Sequence, residues 1–449
     1  MKILISVWGQ PEYWKKVKYN FESDGRSLKD IESCTTLKIL SEYYDKTILV
    51  ASESIFDFKP QKEDNDCVSC MNKLNWKVPV DDYKKMIDAI ENNIRNVLEC
   101  LKISGDIHIV VLPAVGRPGP NVQFSGKMDN FTSIGLLKMY DIIRNLENID
   151  EIAVDVTHGI NYMSALIFVI SRFLAQIAYL RHNVDSNWRG VKMTVLNADP
   201  ISIDSNKVGT LSINKIMEED VRSIDINSMK AELPKDLSIK QHDDELKQLK
   251  EEYHKIFNVI VALYNPFPLA LSLIYSSINT IPSSLIKNTI KLWESRSVTR
   301  EEKIEHNLEI YPLFAQHLIL SDAVSLILGS TLRSSGWIRI SDLEKISDSI
   351  YKKISVLSNA LIKQELSLMR LKLNKITGEH YLSEFYHYFG APTDGSIINS
   401  SKQDKRVVNK RIMIAHAGFQ SNLTKVKVED ELYLSYGEDV EEILNNFRG

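Results

Sequence analysis

Arg411 and His416 have the clearest capacity for chemistry, five positions apart in Arg406-Val407-Val408-Asn409-Lys410-Arg411-Ile412-Met413-Ile414-Ala415-His416. A histidine accepts or gives up a proton near neutral pH, and an arginine holds a phosphate through a planar fork of donors. Cleaving RNA through its own 2′-hydroxyl needs those two functions, one to activate the nucleophile and one to stabilise the transferring phosphoryl group. The pair lies in a locally basic stretch. From Lys402 to Lys427 there are seven basic residues (Lys402, Lys405, Arg406, Lys410, Arg411, Lys425 and Lys427) and one acidic residue, Asp404. Arg406 and Lys410 are the candidate contacts to an RNA backbone. Spacing alone is a weak signal, because five residues on a regular helix leave two side chains about 140° apart. Such a site needs a helix end or a second copy of the chain. The alternative is a basic surface helix with a satisfied histidine.

Three other polar segments follow apolar, strand-like runs: Trp8-Gly9-Gln10-Pro11, Leu112-Pro113-Ala114-Val115-Gly116-Arg117-Pro118-Gly119, and Asp155-Val156-Thr157-His158-Gly159-Ile160-Asn161-Tyr162. Ligands of open parallel sheets bind beyond the carboxyl ends of the strands. Small residues there admit a ligand to the backbone, and Thr157 to Asn161 also opens a helix, whose free N–H groups favour an anion. The alternative reading is that these glycines merely make turns. Gly-x-Gly-x-x-Gly is absent after the first run and no Walker loop occurs, which argues against NAD binding and ATP hydrolysis. Cys67-Val68-Ser69-Cys70 lacks a second cysteine pair for a structural zinc site, leaving a disulfide or free thiols, and no metal is expected. His380 and His387 sit among Tyr381, Phe385, Tyr386 and Tyr388, and read as aromatic packing.

The elements that must position these residues change character along the chain. Strand runs at 2–7, 47–50, 107–112, 152–156 and 191–196 alternate with helical spacing at 27–44, 81–101, 131–146 and 160–180. That pattern predicts a Rossmann-like parallel sheet covered on both faces. Residues 235–255 are densely charged, and beyond Val259 the chain reads as almost wholly helical, with a loop at 390–395. The fold class is α/β plus all-α, with a Rossmann-like domain at 1–200, a connecting region with short strands and a charged helix at 201–260, and a helical domain at 261–449. The 449 residues carry 55 Lys and Arg against 59 Asp and Glu, so no global basic excess recruits nucleic acid and any polyanion site must be local. No leader-like apolar stretch follows Met1 and no uninterrupted apolar span of membrane length occurs, which predicts a cytoplasmic protein with no membrane partner.

Taken together, Trp8-Gly9-Gln10-Pro11 with Trp14, the string Asp155-Val156-Thr157-His158-Gly159-Ile160-Asn161-Tyr162-Met163, and Arg411 to His416 resemble the CRISPR-associated CARF–HEPN ribonucleases of type III systems. The resemblance covers the whole chain in order. It implies a CARF domain that binds a cyclic oligoadenylate, with cyclic tetra-adenylate the favoured ring, across the two-fold of a homodimer or higher oligomer. It also implies a HEPN domain that cleaves single-stranded RNA without metal, giving 2′,3′-cyclic phosphate ends in antiviral defence. Catalysis falls on Arg411 and His416. Activator binding falls on Trp8, Gly9, Gln10, Thr157, His158, Gly159 and Asn161, with Gly116 and Arg117 added from the segment 112–119. A polar residue often follows the HEPN arginine, whereas this chain has Ile412. Two other functions remain open: a nucleotide-sensing transcription regulator, and a ring nuclease that degrades the cyclic oligoadenylate.

Overall fold

The apolar runs of the first half form strands, and the computed structural model shows how they pair. It describes residues 1–448 except 10, 12–13, 61–65, 76–81, 183–189, 201–208, 229–242, 301, 333–335, 374–375 and 389–406. Packing divides the chain into two units, Met1–Arg222 with Ile286–Gln316, and Ser223–Leu285 with His317–Gly449.

Over residues 1–222 the strands are β1 (Lys2–Trp8), β2 (Val17–Ser23), β3 (Arg26–Ser33), β4 (Lys46–Ser52), β5 (Ile107–Leu112), β6 (Gln123–Ser125), β7 (Glu151–His158), β8 (Val191–Ala198) and β9 (Thr210–Val221). Between them run α1 (Leu37–Leu40), α2 (Asp66–Asn72), α3 (Tyr83–Cys100), α4 (Met128–Ile143) and α5 (Asn161–Arg181). All the strands but β6 join one eight-stranded sheet in the order β3-β2-β9-β8-β7-β1-β4-β5. The segment β5-β4-β1-β7-β8 is wholly parallel, as expected of a Rossmann-like core. Its strand order reverses between β1 and β7, and a ligand crevice opens at such a switch point. β1 and β4 are buried along nearly their whole length, as strands covered on both faces must be. α3 buries Tyr83, Met86, Ile87, Ile90, Ile94, Val97 and Leu98 along one stripe, and starts where Asp82 accepts from the Lys84 and Lys85 N–H groups.

Several expectations need correcting. Residues 27–44 are not one helix: Arg26–Ser33 is an edge strand antiparallel to β2, and only Leu37–Leu40 is helical. Asp24 (φ 50°) and Gly25 (φ 75°) make the two-residue turn between them. Asp-Gly is a strong hairpin signal because both positions need positive φ. The short strand expected from about Gly209 is longer and belongs to the main sheet rather than to a connector: residues 210–221 form β9, which pairs antiparallel with β8 and parallel with β2. The four cysteines pair as Cys34–Cys67 and Cys70–Cys100, so α2 is tied at two points and neither cysteine of the Cys67-x-x-Cys70 motif is free.

Beyond residue 228 the described chain forms α6 (Asp244–Tyr264), α7 (Pro268–Ile278) and α8 (Ile281–Ser295), then the hairpin β10 (Ser297–Arg300) and β11 (Lys303–His306). The rest comprises α9 (Pro312–Thr331), β12 (Ile338–Arg339), α10 (Ile340–Ile346), α11 (Lys352–Ile354), α12 (Val356–Lys372), β13 (Glu379–Tyr381), α13 (Lys410–Ala415), β14 (Thr424–Val428), β15 (Leu432–Tyr436) and α14 (Val440–Asn445). Residues 286–316, expected in the helical domain, pack in the first unit, where β10, β11 and β6 make a three-stranded sheet. A buried polar cluster anchors them. Glu53, just past β4, accepts from Ala114 N–H (2.8 Å) and the Tyr83 hydroxyl (2.7 Å), and lies 2.8 Å from His306 Nε2. His306 Nδ1 meets Ser297 Oγ at 2.9 Å, and Trp293 stacks on its ring.

The second unit is less uniformly helical than its sequence suggests, because β12, β15, β14 and β13 form a four-stranded antiparallel sheet. By length and composition α5 and α9 could each cross a membrane, yet more than half of each is buried inside the protein. In the second unit Tyr253 Oη and His317 Nδ1 lie 2.7 Å apart, with His317 wholly buried. Burial lowers the His317 pKa to about 4. The unfolded chain then takes up a proton below about pH 6.5 that the folded protein refuses, so this histidine costs stability as the pH falls from about 6.5 towards 4. We expect the unfolding free energy of this unit, measured in urea, to fall between pH 7 and pH 5 by roughly 1–2 kcal/mol for this group. A His317→Gln variant should show a flatter pH dependence; an unchanged slope would refute the assignment.

Candidate functional site

Two places combine chemistry-bearing residues. The first is the β1/β7 switch point, organised by Asp155 on β7. Its side chain is wholly buried and accepts four hydrogen bonds from three segments: Ser6 Oγ (2.9 Å) and Thr36 Oγ1 (2.6 Å) on Oδ2, Thr157 N (3.1 Å) and Thr157 Oγ1 (2.7 Å) on Oδ1. Thr157 Oγ1 also accepts from Ala198 N–H at 3.0 Å, which draws in the end of β8. A register shift after Ser6 and Asp155 sets Trp8 opposite His158, so β7 carries an extra residue here. Such bulges re-aim side chains beside functional sites.

His158 Nε2 accepts from Thr36 N–H at 3.3 Å, and its ring packs on Trp14, which in turn meets Trp8 edge-on. Burial lowers the His158 pKa to about 4, against the opposing pull of Asp155, and keeps the ring neutral enough to accept. Gly9 donates its N–H to the His158 carbonyl at 2.7 Å, and a Cβ at Gly9 would lie 2.8 Å from Ile160 N. Only glycine lets the end of β1 approach β7 this closely.

The expected activator residues divide accordingly. Trp8 is wholly buried, so its side chain belongs to the core rather than to a ligand surface. Thr157 spends its hydroxyl and N–H, and His158 its Nε2, on the scaffold, while Asn161 is exposed at the first turn of α5. Gln10 lies outside the described residues. Gly116 and Arg117 are exposed but follow β5, with β4 standing between β5 and β1. Their loop is tied elsewhere: Asp57 accepts from Asn121 and Val122 N–H groups, and Gly116 bridges to Phe124. Asp155, Ser6 and Thr36 are the organising residues that motif reading did not single out.

The second place is α13. Asn409 caps it by accepting from Ile412 N–H, and is itself held by the buried Gln420, which accepts from Asn409 N–H at 2.8 Å. The helix stops at His416. Gly418 N–H bonds to Met413 O (2.7 Å) and Ala417 N–H to Ile414 O (3.4 Å), with positive φ at both residues: a Schellman ending. His416 is therefore the C-cap of a short helix, the helix end that Arg-x4-His spacing requires. Met413 is buried beneath, while Lys410, Arg411 and His416 are exposed. His416 Nδ1 lies 3.1 Å from Glu365 Oε1 on α12. The expected basic stretch is split. Lys425 and Lys427 stand on β14 over the rings of Tyr381 (5.5 Å) and Trp337 (4.8 Å), while Lys402, Lys405 and Arg406 lie outside the described residues. His380 bonds Glu384 and packs on Phe385, in keeping with a packing role.

Family models match both places. Residues 3–200 match the CARF domain of the CRISPR system endoribonuclease Csx1, and residues 355–439 match its HEPN domain. The chain belongs to the CARF–HEPN ribonuclease family of CRISPR systems. Among curated proteins, the CRISPR system endoribonuclease Csx1 of Methanocaldococcus jannaschii is 23% identical over 458 residues, covering 96% of this chain and 87% of the relative. Among solved structures, Enterococcus italicus Csm6 bound to cyclic hexa-2′-fluoro-hexa-dAMP aligns with 84% of this chain and 86% of its own. That alignment has 13% identity and a TM-score of 0.22, too slight an overlap to bear on the fold. The CARF match contains the Asp155-centred switch point, and the HEPN match contains α12, α13, Arg411, His416 and Glu365. Glu365 escaped sequence reading because 51 residues separate it from His416 and no local motif joins them.

Proposed function

We propose that this CARF–HEPN ribonuclease cuts single-stranded RNA without a metal, is switched on by a cyclic oligoadenylate, and leaves 2′,3′-cyclic phosphate ends. The observation that carries the reading is the exposed pair Arg411 and His416 at a helix end inside the HEPN match. In this mechanism the imidazole takes the 2′-hydroxyl proton as the O2′–P bond forms. The P–O5′ bond breaks as an imidazolium protonates the departing oxygen. Arg411 stabilises charge on the phosphoryl oxygens, and Lys410 and Arg406 hold flanking phosphates.

Two such steps call for two imidazoles, which a homodimer supplies by facing one α13 with another. A cyclic, phosphate-rich ligand of two-fold symmetry suits the same dimer, because an isologous interface duplicates each CARF loop. The activator acts by binding the active dimer more tightly than the resting one. Asn161 and the backbone around Gly9 and Gly159 are the contacts we assign to it, with cyclic tetra-adenylate as the first ring to test and the cytoplasm as the place of action. The ring-nuclease alternative is weaker, because Thr157 and His158 already bond the scaffold. A transcription regulator would call for a DNA-reading helix pair rather than a HEPN match.

The test is cleavage of a labelled single-stranded RNA in EDTA, with and without cyclic tetra-adenylate. Cleavage that rises at least tenfold with activator is the expected result. No cleavage with any cyclic oligoadenylate, or a strict need for magnesium, would overturn it.

A further inference from the structure

We infer that Glu365 is a positioning residue for His416: it fixes which imidazole nitrogen carries the proton and leaves Nε2 to face the RNA. The inference rests on the ribonuclease reading of this site. Glu365 stands on α12 beside Leu366 and one turn after Ile362, both wholly buried, so the helix that carries it is packed in place. Ser355 caps the start of that helix by accepting from Ser358 N–H. The Glu365 side chain is 15% exposed, whereas that of His416 is 51% exposed. One partner is thus embedded and the other reaches outward, the arrangement of an orienting group and the group it orients.

The contact runs from Glu365 Oε1 to His416 Nδ1 at 3.1 Å. An ionised carboxylate only accepts hydrogen bonds, so Nδ1 must be the donor. In the neutral ring the lone pair then sits on Nε2, the nitrogen turned from the carboxylate and available to a 2′-hydroxyl. When Nε2 takes a proton, the resulting imidazolium lies against a negative charge, which favours the transition state more than the ground state. His416 needs such a brace because it lies at a helix terminus, where backbone restraint ends, and its ring would otherwise sample other rotamers in solvent. Among the described residues, the side chain bonded to the ring is that of Glu365.

The experiment measures kcat and KM for a labelled RNA, using full-length protein saturated with cyclic tetra-adenylate. It compares wild type, His416→Ala, Glu365→Leu and Glu365→Gln. Glu365→Leu should lower kcat by about 10–100-fold with KM within twofold of wild type, since misorientation of an acid–base group costs rate rather than binding. Glu365→Gln keeps an acceptor for Nδ1–H but not the charge, and should recover part of the rate while staying severalfold below wild type. Wild-type kcat in Glu365→Gln, or a fall that appears in KM instead of kcat, would overturn the assignment even if Glu365→Leu does not fold. An inactive wild type, or full cleavage by His416→Ala, would instead overturn the ribonuclease reading and this inference with it.

Discussion

Replacing His416 with alanine should lower kcat for RNA cleavage by about 10²–10⁴-fold, the usual contribution of a positioned acid–base group. Arg411→Ala should cost about 10²–10³-fold, through lost stabilisation of charge on the phosphoryl group. Arg411→Lys should recover little of it, because an ammonium lacks the planar fork that matches two phosphate oxygens. The double variant should be scarcely worse than the poorer single one, since the two residues act on one transition state. Both side chains are exposed, so the variants should unfold within about 0.5 kcal/mol of wild type and bind the activator unchanged. Those two controls separate a lost reaction from a lost fold. Cleavage retained within tenfold in His416→Ala would show that the reaction lies elsewhere.

The second large effect is expected at Asp155. Its four bonds join β1 through Ser6, the segment before α1 through Thr36, and its own strand end through Thr157. Asp155→Ala removes the acceptor of all of them and leaves the Ser6, Thr36 and Thr157 hydroxyls and the Thr157 N–H without an acceptor at this point. Each such group costs about 1–3 kcal/mol, and allowing for relaxation a total near 3–5 kcal/mol is expected. Asp155→Asn should cost less, since its amide oxygen still accepts and the hydroxyls of Ser6 and Thr36 can turn to receive the amide N–H. The activator should also bind at least tenfold more weakly to Asp155→Ala, because the loops that Asp155 pins include the Thr36 N–H on His158 and, through His158, the turn at Gly9. Urea unfolding and titration with cyclic tetra-adenylate check the two halves separately. A variant as stable as wild type would refute the role of Asp155 as the organising carboxylate.

Both predictions concern residues whose types were visible in the sequence but whose partners were not. The parallel core was legible because strands buried on both faces are written as continuous Val, Ile and Leu, a pattern that needs no distant information. The short strands were legible too, in signals that a search for helical spacing passes over. Asp24-Gly25 marks the β2–β3 hairpin, and the alternation Thr-Lys-Val-Lys-Val followed by Leu-Tyr-Leu-Ser-Tyr marks β14 and β15. Residues 27–44 misled because apolar spacing alone does not separate an exposed edge strand followed by a single helical turn from a helix.

Local sequence was enough for the strand–helix alternation, the polar ends of β1 and β7, and the Arg411–His416 pair with its family likeness, because residues within a few positions of one another carry each of them. The partners of those residues came from the folded chain. It buried Trp8 and tied Thr157 and His158 to a polar network whose contacts reach from Asp155 back to Thr36 and Ser6, 119 and 149 residues away. It moved residues 286–316 into the first unit through a bond between Glu53 and His306, 253 residues apart. It also brought Glu365 to His416. A buried polar group must find partners wherever the fold places them, so its neighbours follow from closure of the whole chain and cannot be read from adjacent residues.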